Sequence, residues 1–116
     1  MLRTILKSKI HRATVTEANL HYEGSITIDA KLMQAADILE YEKVEVLNIN
    51  NGRRLETYAI KAKAGSAVIC LNGPAARGAC VGDKLVILTY IFCAGEEPGL
   101  PRPKIVKVNE RNRIKN

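Results

Sequence analysis

The sequence predicts a small, mostly β domain carrying one or two short helices. Three observations point there. Apolar residues make up 47% of the 116 residues but aromatics only 4%, with no Trp, so Val, Ile, Leu and Ala must build the core. Short runs of β-branched residues recur along the chain, bounded by Gly, Pro, Asn or Asp. Asn51-Gly52 stands between two such runs, a strong short-range hairpin signal. The length suits one domain with a modest core. Periodicity leaves barrel and sandwich both open.

Residues 2–16 mix β-branched and basic residues and read as an early, partly exposed strand. Residues 25–28 read as a short strand. Asp29 follows as a cap for a short helix, in which Leu32, Ala35, Ala36 and Leu39 fall at i, i+3, i+4 and i+7 and form one apolar face. EKVEVLNIN and RRLETYAIKA flank Asn51-Gly52, predicting a hairpin with a type I′ turn, which needs positive φ at both central residues. Ala64-Gly65-Ser66 ends that arm. AVICL (67–71) reads as a buried strand, NGPAARGACVGD (72–83) as a glycine-rich loop and KLVILTYIF (84–92) as the most apolar strand. EEPGLPRP (96–103) reads as a linker and KIVKV (104–108) as a last alternating strand.

The net charge is +6, and residues 102–116 hold six basic residues against one acid. A basic end with almost no aromatics is a weak nucleic-acid signal and reads as a solvated tail, with no nucleic-acid partner expected. Cys70, Cys80 and Cys93 form no CxxC pair and, with only His11 and His21, no zinc spacing, so reduced, partly buried thiols and no metal are expected. The N-terminus has no continuous apolar run before its charges, and no segment approaches membrane-spanning length. No signal peptide and no membrane contact are expected, and a cytoplasmic location follows.

Among candidate chemical groups, Gly24-Ser25 in LHYEGSITID is on its own an ordinary turn dipeptide. It also has a reactive reading. A serine hydroxyl can attack the preceding carbonyl, and a glycine there offers no Cβ to block approach and no penalty at positive φ. GPAARGAC fails the phosphate-loop pattern, since no lysine follows Gly78. No G-x-S-x-G is present. In a strand, Arg54 and Tyr58 share one face, where an arginine fork suits a carboxylate and a tyrosine can deliver a proton. Lys9 and His11 share a face of the first strand.

Taken together, LRTILKSKIHRATVT (2–16), LHYEGSITID (20–29), NGRRLETYAI (51–60) and LNGPAARGACVGD (71–83) resemble the pyruvoyl-dependent aspartate decarboxylase family over roughly residues 1–93. The resemblance implies a small double-psi β-barrel, assembled as a homotetramer with sites between subunits. It implies self-cleavage between Gly24 and Ser25, giving a β chain (1–24) and an α chain (25–116) headed by a covalently bound pyruvoyl group made from Ser25, without PLP. That group would take L-aspartate as a Schiff base and yield β-alanine for pantothenate and coenzyme A synthesis. By the same resemblance Tyr58 is the proton donor, Arg54 and Lys9 hold a substrate carboxylate, and His11 lines the site. Thr57 assists self-processing near the Gly24 carbonyl, and Asn72, Gly73, Ala75 and Ala76 shape the pocket. Some relatives mature with an accessory protein. Pro74 stands where the family loop commonly has alanine and removes one backbone N–H. The competing expectation is a non-catalytic β-barrel binding module that uses the basic C-terminal segment.

Overall fold

The computed structural model describes residues 1–94 and 102–116. The elements run β1 (Leu2–Thr14), β2 (Glu17–Asn19), β3 (Ile26–Asp29), α1 (Ala30–Ala35), β4 (Lys43–Asn48), β5 (Arg54–Ala62), β6 (Ile69–Asn72), a 3₁₀ helix (Gly73–Gly78), β7 (Lys84–Ala94) and β8 (Lys104–Lys107). The strands form a mixed sheet in the order β2-β6-β3-β5-β4-β7-β1-β8. Its two outermost strands are joined through one stretch of chain. β1 lies next to β8 at one end, and only Val15 and Thr16 separate it from β2 at the other. The sheet therefore curls on itself into a barrel-like fold, which periodicity left open and the family resemblance implies.

The closing seam is hydrogen-bonded from both sides. Thr16 N–H donates to Ile69 O at 2.8 Å and Val15 N–H to Asp83 O at 2.9 Å. Asn112, 2% exposed, accepts from Thr14 N–H at 2.7 Å and donates to Thr14 O at 2.9 Å and Ala67 O at 2.8 Å. The basic end is thus not the expected solvated tail. Val106 and Val108 alternate into the core, Asn112 fills the seam, and Arg113 donates to Gly65 O. Inward apolar positions and one fully satisfied amide outweigh the cationic character of the segment.

β1 shows why alternation survives over a long strand. Ser8 and Ile10 point inward, then a bulge with Arg12 at φ 70° shifts the inward position to Ala13. Inside the sheet the buried Ser8 and Thr89 hydroxyls bond to each other. β6 is buried along its whole length because β2 and β3 flank it. Ile26, Ile28, Leu32, Ile69, Leu85 and Ile87 form the centre of the core.

Asp29 caps α1 as expected, accepting from Lys31 N–H at 2.9 Å. Its carboxylate also accepts from Gly65 and Ala67 N–H. Burial pushes the Asp29 pKa upward, but these three donors outweigh it and hold the acid below its ordinary value.

Three local expectations are corrected. The helix stops at Ala35, and Asp37 at φ 55° turns the chain, so Ile38 enters the core while Leu39 is 71% exposed. Between β4 and β5 only Gly52, not Asn51, has positive φ, so no type I′ turn forms. A longer loop replaces it because Asn48 Oδ1 accepts from Asn50 N–H and Ile49 N–H is drawn to Lys84 O. The glycine-rich stretch is not open loop but contains the 3₁₀ helix, and Pro74 in its first turn needs no N–H donor there. The linker expected over 96–103 lies outside the described residues except at its last two positions. Among the described residues, no helix is long and apolar enough to cross a membrane.

Candidate functional site

Strand register brings three separate stretches to Ser25. Ile26 at the start of β3 is paired with Ala59 on β5 and with Leu71 on β6. The residues just before and after those partners, Tyr58 and Asn72, therefore flank Ser25. The flanking is tight. Asn72 N–H donates to Ser25 O at 3.0 Å, and Asn72 Nδ2 donates to Ser25 Oγ at 3.1 Å and to Thr27 Oγ1 at 2.9 Å.

Gly24 and Ser25 both lie at positive φ, 124° and 88°. For glycine this is free, but for a serine it stores backbone strain of about 1–3 kcal/mol. Ser25 is only 1% exposed. Gly73 explains how the chain is held there. Its φ is +58°, and a Cβ on it would sit 2.7 Å from Tyr22 O and 2.9 Å from Gly24 N. The first residue of the 3₁₀ helix thus lies flush against the backbone that leads into the Gly24–Ser25 bond, a fit only glycine allows.

Above this bond opens a cleft of about 310 Å³ lined by Gly24, Ser25, Thr57, Tyr58, Asn72, Pro74 and Ala75, with Glu23, Leu55 and Glu56 at its sides. The Tyr58 hydroxyl hangs over Gly24, 4.0 Å from where a Cβ would stand. The far end of the 3₁₀ helix is anchored to the β4–β5 loop, because Asn48 Nδ2 and Asn51 Nδ2 both donate to Gly78 O. Asn48 and Asn51 are positioning residues that sequence reasoning missed. Asn48, inward-facing at the end of the Val44–Val46 alternation, was the available signal.

Not every expected residue reaches this cleft. Arg54 sits farther along the same face of β5, in an adjoining depression with Glu45, Leu55 and Glu56, its guanidinium 3.8 Å from Glu45. Lys9 and His11 lie on β1, paired to β7 and β8, with β4 and β7 intervening between them and β5. Ala76, half-buried, is on the 3₁₀ helix beside Ala75. Among the described residues, no cationic side chain lines the cleft of the single chain, whereas Glu23 and Glu56 do.

His11 Nδ1 is buried without a hydrogen-bond partner. Burial, then the charges of Lys9, Arg12, Lys107 and Lys115, push its pKa below the ordinary 6.5. As pH falls, the unfolded chain takes up this proton before the folded one does. The His11 contribution to stability is therefore complete above 6.5 and lost as pH drops through the folded value. Titration of the ring by NMR is expected to give a midpoint below 6.5, with thermal stability declining over the same range. A midpoint at or above 6.5 contradicts this.

Fold and site together define a small β-barrel with a strained Gly–Ser bond at the base of a cleft. The profile of the family described as aspartate decarboxylase matches residues 1–115. Three proteins named Aspartate 1-decarboxylase are similar to the chain. The one from Caldicellulosiruptor saccharolyticus is 62% identical over 98% of this chain and 89% of its own length. That from Clostridium acetobutylicum is 61% identical over 97% and 88%. That from Syntrophus aciditrophicus is 56% identical over 100% of both. The chain belongs to the aspartate decarboxylase family.

Proposed function

We propose that the chain cuts itself between Gly24 and Ser25 and then removes the α-carboxylate of L-aspartate, giving β-alanine and CO2. The observation that carries this reading is Ser25 itself, buried, at φ 88°, and gripped at both its carbonyl and its hydroxyl by Asn72. Family membership supports the reaction class.

In self-cleavage, Ser25 Oγ attacks the Gly24 carbonyl carbon. The C–O bond forms, the C–N bond to Ser25 breaks, and the hydroxyl proton passes to the freed amine. The strain at Ser25 is relieved as the peptide bond gives way. Thr57, on the cleft wall, is the side chain we assign to the developing oxyanion. Loss of the Ser25 Cα proton then expels the Gly24 carboxylate and leaves dehydroalanine. Water displaces the nitrogen as ammonia, leaving a pyruvoyl group at the head of residues 25–116.

The residues present fit that group. Ser25 sits at the cleft base, Asn72 Nδ2 donates to its Oγ, and β3 pinned between β5 and β6 holds the new chain end rigidly. Once formed, the pyruvoyl group supplies a ketone to take the substrate amine and an adjoining carbonyl to accept the electron pair released with CO2. Tyr58 delivers a proton to the product carbon from its place over Gly24. Asn72 and Ala75 line the cleft, and Gly73 and Ala76 belong to the 3₁₀ helix beside it.

A dicarboxylate needs cations, and the cleft of one chain has carboxylates instead. Lys9, His11 and Arg54 of a homotetramer would complete the site across a subunit boundary. The surface supports this. Tyr90, Phe92 and Leu2 are exposed at the outer end of the β1–β7 ribbon, and Tyr90 and Phe92 line a second cleft that shares Glu56 with the first. Free Cys70, Cys80 and Cys93 suit a cytoplasmic setting. The binding-module alternative is not favoured, since much of its basic segment is folded onto the barrel.

Incubation with L-aspartate should release β-alanine, measured by chromatography. No β-alanine from a cleaved, assembled protein contradicts the substrate assignment. Tyr58→Phe should still cleave at Gly24–Ser25 but lose about 100-fold or more in kcat, the contribution typical of a positioned proton donor. Full turnover by this variant removes Tyr58 from the role.

A further inference from the structure

We propose that Cys70 is a positioning residue for self-cleavage, its thiol fixing which end of the Asn72 amide faces Ser25. The inference rests on the self-cleavage reading above and extends it one residue outward.

The two ends of an asparagine amide are alike in shape and opposite in hydrogen-bonding character. Three side chains meet the Asn72 amide: Ser25 Oγ at 3.1 Å, Thr27 Oγ1 at 2.9 Å and Cys70 Sγ at 3.2 Å. Two of them cannot choose between its ends, because a hydroxyl both donates and accepts. With Asn72 rotated by half a turn, the Ser25 and Thr27 hydroxyls would simply donate to Oδ1 instead. The thiol is different. Sulfur is a poor acceptor, and S–H donates, so Cys70 favours Oδ1 over Nδ2. Cys70 is 5% exposed, and burial, followed by the charge and hydrogen bonding of Glu17, raises its pKa, which keeps the thiol protonated. Its Sγ stands 3.2 Å from Asn72 Oδ1, with Leu71 O farther off at 3.9 Å. The register supplies the placement. Cys70 lies two residues before Asn72 on β6, so both side chains project from the same face of that strand.

The orientation matters to the chemistry. With Nδ2 toward Ser25, Oγ receives an N–H and its own proton is free to move to the Ser25 nitrogen as the acyl group shifts. With Oδ1 toward Ser25, the hydroxyl proton would be held by an amide oxygen too weakly basic to take it, and directed away from the nitrogen that must receive it. The main-chain bond from Asn72 N–H to Ser25 O is the same in either orientation, so Ser25 itself stays in place.

The test compares the parent chain with Cys70→Ser, Cys70→Ala and Cys70→Val. Each is made by cell-free translation, and the cleaved fraction is followed by denaturing mass spectrometry, with thermal melting as a check on folding. Cys70→Ser puts a hydroxyl there, which serves either end of the amide, and should cleave more slowly than the parent, like the variants without a polar group. Cys70→Ala and Cys70→Val, the second filling the space, should remain folded and cleave about twofold more slowly, since only about half of the Asn72 amides would then present Nδ2 to Ser25. Equal rates for all four chains overturn the proposal, as does Cys70→Ser cleaving at the parent rate, because a group without the thiol's preference would then suffice. So does Cys70→Val cleaving at the parent rate, because packing alone would then suffice. A parent chain that stays intact throughout overturns the self-cleavage reading, and this inference with it, an outcome distinct from the others.

Discussion

Ser25→Ala is expected to leave the 116-residue chain uncut and without decarboxylase activity, while hardly changing its melting temperature. Only the hydroxyl is removed, and on the proposed reading it is both the group that attacks the Gly24 carbonyl and the oxygen later expelled with the Gly24 carboxylate, so neither the ester nor the dehydroalanine that precedes the pyruvoyl group can form without it. No neighbouring group replaces it. Thr27 Oγ1 is engaged by Asn72 Nδ2 and lies two residues beyond Ser25 on β3. Folding should survive because Asn72 Nδ2 keeps its bond to Thr27 and Asn72 N–H keeps its bond to the residue 25 carbonyl. Denaturing mass spectrometry and a β-alanine assay on one preparation read both effects. A Ser25→Ala chain that still splits at this bond is incompatible with serine as nucleophile.

Gly73→Ala should have the second largest effect, and it separates strain from general destabilisation. At φ +58° any side chain costs about 1–2 kcal/mol. Here the added Cβ would also stand 2.7 Å from Tyr22 O, 2.9 Å from Gly24 N and 3.0 Å from Gly24 Cα. All three are backbone atoms, so no side chain can swing away, and the segment entering the Gly24–Ser25 bond must shift. Cleavage should slow at least about tenfold, the consequence of roughly 1.4 kcal/mol lost from the reactive geometry. Gly52→Ala and Gly82→Ala are the controls. They lie at φ +76° and +95° with nothing within 4 Å, so they should bear the positive-φ cost alone and cleave normally. If all three variants slow alike, the contact between Gly73 and Gly24 has no special part in cleavage.

Much of this fold is legible because its signals are local. Period-two alternation marks β4, where Val44 and Val46 face inward, and β8, where Val106 does. Asp29 caps its helix by a bond to Lys31 N–H, a matter of two residues. What was not legible depends on partners distant in sequence. The Asn51-Gly52 turn lost its expected form because Asn48, Lys84 and Gly78 compete for the same backbone and side-chain groups. Leu39 left the apolar face because a left-handed Asp37 ended the helix register early. The basic end looked like a tail by charge, yet the positions that decide its fate are Val106, Val108 and Asn112.

The site divides along the same line. Gly24-Ser25, Tyr58 and Asn72 converge through register between β3, β5 and β6, and the resemblance pointed to each of them. Arg54 and Tyr58 do share a face of β5, but strand rise carries Arg54 into the next depression. Lys9 and His11 are kept from the cleft by the strand order of a single chain. Cys70 was read only as a reduced, partly buried thiol, and its contact with Asn72 emerges only when β6 is placed beside β3.

The central claim is that the protein breaks its own Gly24–Ser25 bond, and intact-mass measurement of the purified protein under denaturing conditions tests it most directly. Two species are expected, residues 1–24 with an ordinary carboxylate and residues 25–116 lighter by one ammonia than a chain starting with serine. A single full-length mass that persists through prolonged incubation contradicts it.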